Sequence, residues 1–174
     1  AYLAFGHVQV RVKVWLDPFA YANDEGYQIV QALFGFANGG MAGTGWGLGY
    51  PQLVPYAKSD FIFAALGEEL GLVGTAIVVA ALLILVWRSL VIAQRAPGRF
   101  GQLLVVGLGG MIFIYGAANI AMVTGVIPVM GVPLPFVSYG GSALVTNLAA
   151  VGLILNVDRQ GRRRRRAGSR RPVL

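Results

Sequence analysis

An all-α integral membrane protein, built as a polytopic helical bundle with a large extracytoplasmic loop, is the fold class this sequence predicts. Three observations carry that expectation. No charged residue occurs between Phe100 and Val157; as one helix that stretch would run roughly 87 Å, about three times the hydrocarbon core of a bilayer, so it has to fold back. Hydrophobic residues make up 56% of the chain and charged residues only 12%, where soluble domains carry about a quarter charged. The formal net charge of +7 is concentrated at one end, with seven of the fourteen basic residues between Arg162 and Arg171. Basic residues just past an apolar span mark the cytoplasmic side and attract anionic membrane lipid, and this placement argues against nucleic-acid binding. Cysteine is absent, which excludes a disulfide framework and thiolate metal sites.

Residues 1–12 read as the end of an apolar span that belongs to a longer polytopic protein, and 13–59 as an extracytoplasmic loop. Within that loop, Gly26 to Phe36 places Tyr27, Val30, Leu33 and Phe34 near one helical face, which predicts a short amphipathic helix at the outer interface. The glycine-dense run that follows, GGMAGTGWGLGYPQ, is suited to close approach of backbone to a ligand. Trp46, Tyr50 and Tyr56 suit an aromatic belt at headgroup level. The first membrane helix is expected over 60–87, around the charge-free run Leu70 to Trp87. Arg88, Arg95 and Arg99, with Pro97-Gly98 as the turn, assign 88–101 to the cytoplasm. A second membrane helix over 102–127 leads out. Pro128, Pro133 and Pro135 break the chain over 128–141, because proline removes a backbone donor. A third helix over 142–157 returns the basic tail, 158–174, to the cytoplasmic side.

Asp60, in VPYAKSDFIF, stands at the outer mouth of the first span. An acid there commonly caps or complements a helix N-terminus; an ionisable group beside lipid also raises a functional hypothesis. Glu68 and Glu69 follow on the same segment. On one helix Glu68 lies roughly 12 Å beyond Asp60, wider than the paired carboxylates of glycosidases at about 5–9.5 Å, and a buried polar contact is its alternative role. Gly43, Gly45, Gly47 and Gly49 do not have dinucleotide-binding spacing. His7 is the single histidine, which excludes a histidine-rich metal centre. Arg11 and Lys13 can neutralise a diphosphate or anchor the interface. MGVPLPFVSYGGSAL places Ser138 and Tyr139 in irregular backbone near the membrane's outer edge, where it must be buried by protein or line a wet cavity. Asn119 and Asn147 are further polar groups within the spans, suited to helix packing or to that cavity.

PVMGVPLPFVSYGGSAL, KSDFIFAALGEELGLVG, GYQIVQALFGFANGGMAGTGWG and RVKVWLDP together resemble the SEDS family (RodA, FtsW, SpoVE) over nearly all of the chain to about Asp158. The resemblance is to the C-terminal three to four spans of a ten-span fold, and the Val-Pro-Leu-Pro run before SYGG is more similar to RodA, the elongation members, than to the division members. It implies a peptidoglycan glycosyltransferase that polymerises lipid II at the outer face of the bacterial cytoplasmic membrane beside a class B penicillin-binding protein. It also implies that Asp60 is the essential acid, acting as a general base. Lys58, Ser59, Arg11, Glu68, Ser138 and Tyr139 are the candidate substrate-binding residues, with a divalent cation, magnesium or manganese, as a further aid to the diphosphate. Lys58 and Ser59 stand where many members have histidine and threonine. A lipid II flippase and a non-catalytic scaffold for the transpeptidase are the competing readings.

Overall fold

The computed structural model describes residues 6–168, with side chains through 163. Five helices form it: α1 (Gly6–Leu16), α2 (Tyr27–Gly39), α3 (Ile62–Gln94), α4 (Arg99–Val123) and α5 (Gly141–Gly168). Single 3-10 turns at Phe19–Tyr21 and Pro51–Leu53 punctuate the loops, and no strand occurs among the described residues. The helices Ile62–Gln94, Arg99–Val123 and Gly141–Arg163 are long and apolar enough to cross a membrane. The all-α membrane architecture is thus as the composition predicts.

Several boundaries differ from expectation. Helix α1 runs unbroken past residue 12 to Leu16. Helix α2 exists, but its buried face is Ile29, Val30, Ala32, Gly35 and Gly39, while Tyr27 and Phe34 are exposed. The cause is its neighbour: this face of α2 packs on the segment of α3 before Gly71. A Cβ added at Gly35 would touch Glu68, and one at Gly39 would strike the Gly67 carbonyl. Close helix approach selects small side chains, which is why glycine and alanine, with Ile29 and Val30, form the face that meets the rest of the protein. The basic tail also differs, because α5 continues as helix through the Arg162–Arg166 run. Arg170 and Arg171 lie outside the described residues.

The largest correction concerns α3, expected to be continuous. Gly71 breaks it, at φ 66° and ψ −165°, a backbone region essentially restricted to glycine. The loop after α2 threads the break. Leu72 N–H donates to the Gly40 carbonyl at 2.9 Å and Val73 N–H to Met41 at 3.2 Å, while Thr44 and Gly45 N–H donate to Glu68 and Glu69 at 2.9 and 3.0 Å. The backbone groups released by the break are therefore paired by protein, as they must be beside lipid. The glycines of GGMAGTG serve this approach; a Cβ on Gly71 would collide with the Gly43 nitrogen.

Two apolar clusters hold the helices. The outer one gathers Val14, Ile29, Ala32, Phe61, Phe63, Met122, Val123 and Leu134, so it joins α1, α2, α3, α4 and the Pro/Gly loop. The inner one is Ile92, Ala93, Val105, Ile154 and Val157, from α3, α4 and α5 only.

Candidate functional site

Asp60 does not cap α3. The helix starts at Ile62, its N-cap is Phe61, and no side chain caps it. The first acceptor of the helical ladder is the Phe61 carbonyl, which takes the Ala64 and Ala65 N–H groups at 3.0 and 3.3 Å. Asp60 belongs to the turn before it. That turn closes on Tyr56, whose carbonyl accepts from Ser59 N–H at 2.9 Å and Phe61 N–H at 3.2 Å, and from the Ser59 hydroxyl at 3.3 Å.

The carbonyls of Lys58, Ser59 and Asp60, outside any helix, are nevertheless all bonded. Tyr139 N–H donates to Lys58 at 2.8 Å. The Ser138 hydroxyl donates to Ser59 at 2.6 Å and accepts from Leu134 N–H at 2.7 Å. Asn119 Nδ2 donates to Asp60 at 2.7 Å and to Val132 at 2.6 Å. Asn119 is fully buried and among the described residues its Oδ1 has no partner, a deficit worth roughly 1–3 kcal/mol.

Strain concentrates at the same place. Among the described residues, Tyr56 (φ 58°) and Phe136 (φ 66°) are the non-glycine residues with positive φ. One lies in the turn that carries Asp60; the other lies in the turn that grips it. Backbone held in such a region costs about 1–3 kcal/mol and clusters where function requires it.

The half-buried Asp60 side chain points at the open face of Gly131; a Cβ there would lie 3.3 Å from Oδ2. Gly131 itself has φ 68°, which favours glycine there, and a side chain at this position would press on the Asp60 carboxylate. Among the described residues no side chain donates to the Asp60 carboxylate. Lys58 is exposed and Ser59 half-buried beside it. The Tyr139 ring is 84% exposed. Arg11 reaches this side of the molecule through one guanidinium nitrogen, Nη1, which donates to the Val129 carbonyl at 3.1 Å; Trp15 Nε1 donates to Gly125 at 2.8 Å. Both pin α1 to the segment leading into Gly131.

Ser138 and Glu68, expected at the substrate, are engaged by the fold. Ser138 spends its donor on Ser59. Glu68 is buried, its Oε1 accepts from Tyr50 N–H at 3.2 Å, and its carbonyl accepts from the Thr44 hydroxyl at 3.1 Å. It fixes the threaded loop, not the Asp60 turn. A hollow of about 490 Å³ lies between α1 and α2, lined by Arg11, Asp24, Glu25, Gln28, Pro55 and Val129 among others. A second, of about 270 Å³, lies under the Pro133–Ser138 turn against Tyr115 and Asn147. Asp60 lines neither. Among the described residues no three His, Asp or Glu side chains gather as a metal cage; at the Asp60 turn one carboxylate alone does not make a divalent-cation site.

Sequence reasoning did not find Asn119's pair of donated hydrogen bonds, the strained Tyr56 and Phe136, or the Gly71 break. Only Asn119 gave a signal, as an amide inside a charge-free span.

The family model described as FTSW_RODA_SPOVE, cell cycle protein, matches residues 1–163. The chain is 43% identical to the peptidoglycan glycosyltransferase RodA of Mycobacterium tuberculosis, over 99% of this chain and 37% of the relative. It is 42% identical to the peptidoglycan glycosyltransferase MrdB of Escherichia coli K12, over 90% and 43%. It is also 42% identical to a probable peptidoglycan glycosyltransferase FtsW of Geobacter sulfurreducens, over 85% and 40%. The chain therefore spans about two fifths of the length of these relatives. Among solved structures it resembles a chain from work on the structural coordination of polymerization and crosslinking by a peptidoglycan synthase complex, with TM-score 0.75 and 29% identity over 91% of this chain and 43% of that one. It also resembles the Thermus thermophilus rod shape determining protein RodA, with TM-score 0.55 and 36% identity over 58% and 34%. On the extent of the family match and these identities, the chain belongs to the FtsW/RodA/SpoVE family of cell cycle proteins.

Proposed function

We propose that the full protein containing this chain is a peptidoglycan glycosyltransferase that joins lipid II units into glycan strands, with Asp60 as its general base. The observation that carries this is a half-buried carboxylate with no donor of its own among the described residues, set at the junction of two strained turns beside a membrane-spanning helix. The names of the relatives supply the reaction class.

The chemistry needs one carboxylate. A sugar bound through a lipid diphosphate carries its own leaving group, so no protonated acid is required to expel it. The Asp60 carboxylate takes the proton from the acceptor hydroxyl as that oxygen bonds to the anomeric carbon. The bond from that carbon to the diphosphate oxygen breaks and the electron pair leaves with the diphosphate, whose charge cations stabilise. Lys58, exposed beside Asp60, and Arg11, with most of its guanidinium fork uncommitted, are the cations this chain offers. Ser59 and the exposed Tyr139 ring complete the contact surface. In this reading the Asp60 turn lies outside the cytoplasm, the C-terminus lies inside, and a class B penicillin-binding protein is the partner that crosslinks the product.

The test is polymerisation of purified lipid II by the full-length protein in detergent. Asp60→Ala and Asp60→Asn should lower the rate by about 10²–10⁴-fold, with partner binding retained. Polymerisation at the parental rate in both variants would leave only a flippase or a scaffold.

A further inference from the structure

We propose that Asn119 is a positioning residue for the Asp60 carboxylate: from within α4 it clamps both walls of the place that carboxylate occupies. The inference rests on the reading of Asp60 as the base.

Asp60 gains no placement from its own helix, because the ladder of α3 begins one residue later, at the Phe61 carbonyl. What locates it is the set of three bonded carbonyls at 58, 59 and 60. Two of the three donors, Tyr139 N–H and the Ser138 hydroxyl, come from one turn. The third is Asn119, 59 residues away from Asp60 and 13 from Val132. Val132 follows Gly131, the residue whose bare face the carboxylate meets. One amide therefore holds the main chain of Asp60 and the main chain beside Gly131, and so sets the distance between a carboxylate and the wall it faces.

A role in helix packing alone accounts poorly for this arrangement. An amide placed for packing should satisfy its acceptor as well as its donors. Here both N–H groups go to the carbonyls of Asp60 and Val132, and among the described residues Oδ1 is left buried and unpartnered. Two donors from one planar group also exceed what serine, threonine or a hydrophobe of similar size can supply.

The experiment uses the full-length protein in detergent with purified lipid II, comparing Asn119→Leu and Asn119→Gln with the parent and with Asp60→Asn. Asn119→Leu should lower kcat on the order of 10²-fold while KM stays within about twofold, the pattern of a misplaced catalytic group. The solvent deuterium isotope effect on kcat should rise, since proton transfer then limits turnover more strongly; a smaller active fraction would leave that ratio unmoved. Asn119→Gln keeps both donors one methylene further out and should recover part of the rate with the isotope effect still raised. Parental kcat in Asn119→Leu overturns the inference, as does a lost rate with a parental isotope effect. If Asn119→Leu does not fold, Asn119→Gln decides, and parental kcat with a parental isotope effect there overturns it. Should Asp60→Asn polymerise at the parental rate, the proposed function fails first; an inactive Asp60→Asn beside a parental Asn119→Leu defeats this inference alone.

Discussion

Helix α3 is one element in two solvents, and Gly71 is the border. Before it, Phe63, Ala64, Ala65, Gly67 and Glu68 are buried against α2 and the threaded loop. After it, only Thr75, Ser89, Ile92 and Ala93 are buried, and Leu72, Val73, Ile77, Leu83, Ile84 and Trp87 are exposed on a segment apolar enough to face lipid. The outer part is held by hydrogen bonds and close backbone approach; the inner part is held by apolar contact in a medium that is itself apolar. Specificity of place, which a reacting carboxylate needs, resides in the outer part. The inner part supplies anchorage, which tolerates variation.

Substitutions can break or sharpen that contrast. The largest effect on fold is expected at the border: Gly71→Ala forces a side chain into a glycine-only region against Gly43 and should cost at least about 3 kcal/mol, read as a loss of thermal stability in detergent. Glu68→Ala removes the buried acceptor of Tyr50 N–H and should cost roughly 1–3 kcal/mol; Glu68→Gln, which keeps an acceptor, should cost less. Gly131→Ala should cost about 1–2 kcal/mol for its positive φ, yet lower polymerisation more than stability, because the new methyl group presses on Asp60. Leu83→Ala, on the lipid-facing inner part, should stay within about 0.5 kcal/mol by the same melt. If Leu83→Ala proved as costly as Gly71→Ala, the two-solvent description of α3 would fail.

The sequence made the inner parts of the helices easy to read. An absence of charge over eighteen or more residues is a direct statement about lipid, and Pro97-Gly98 marked the turn between α3 and α4, although α3 runs past the expected end at 87 to Gln94 and α4 already begins at Arg99. Asp60 was legible as a candidate because an acid beside such a span demands a reason. The outer part was harder. Hydrophobic periodicity found the α2 helix and the face bearing Tyr27 and Phe34, but gave no sign that glycine and alanine form its contact with α3. The glycines of GGMAGTG carried the right property, close approach, but the backbone they approach is α3, 24 or more residues away in sequence. Ser138 was legible as a polar group in irregular backbone, but a hydroxyl reveals only that it will bond, not that one partner is the Ser59 carbonyl.

The notch at Gly71 bears on how this chain can vary in length. A residue inserted between Ile62 and Leu70 would rotate Glu68 by about 100° and move it about 1.5 Å, away from Tyr50, and would offset all four rungs that tie the neighbouring loop to the notch. An insertion after Thr75 would merely lengthen a rod in oil. Gaps and added residues among natural variants should therefore fall on the inner stretch or in the turns, while the roughly two and a half turns before Gly71 keep a fixed count.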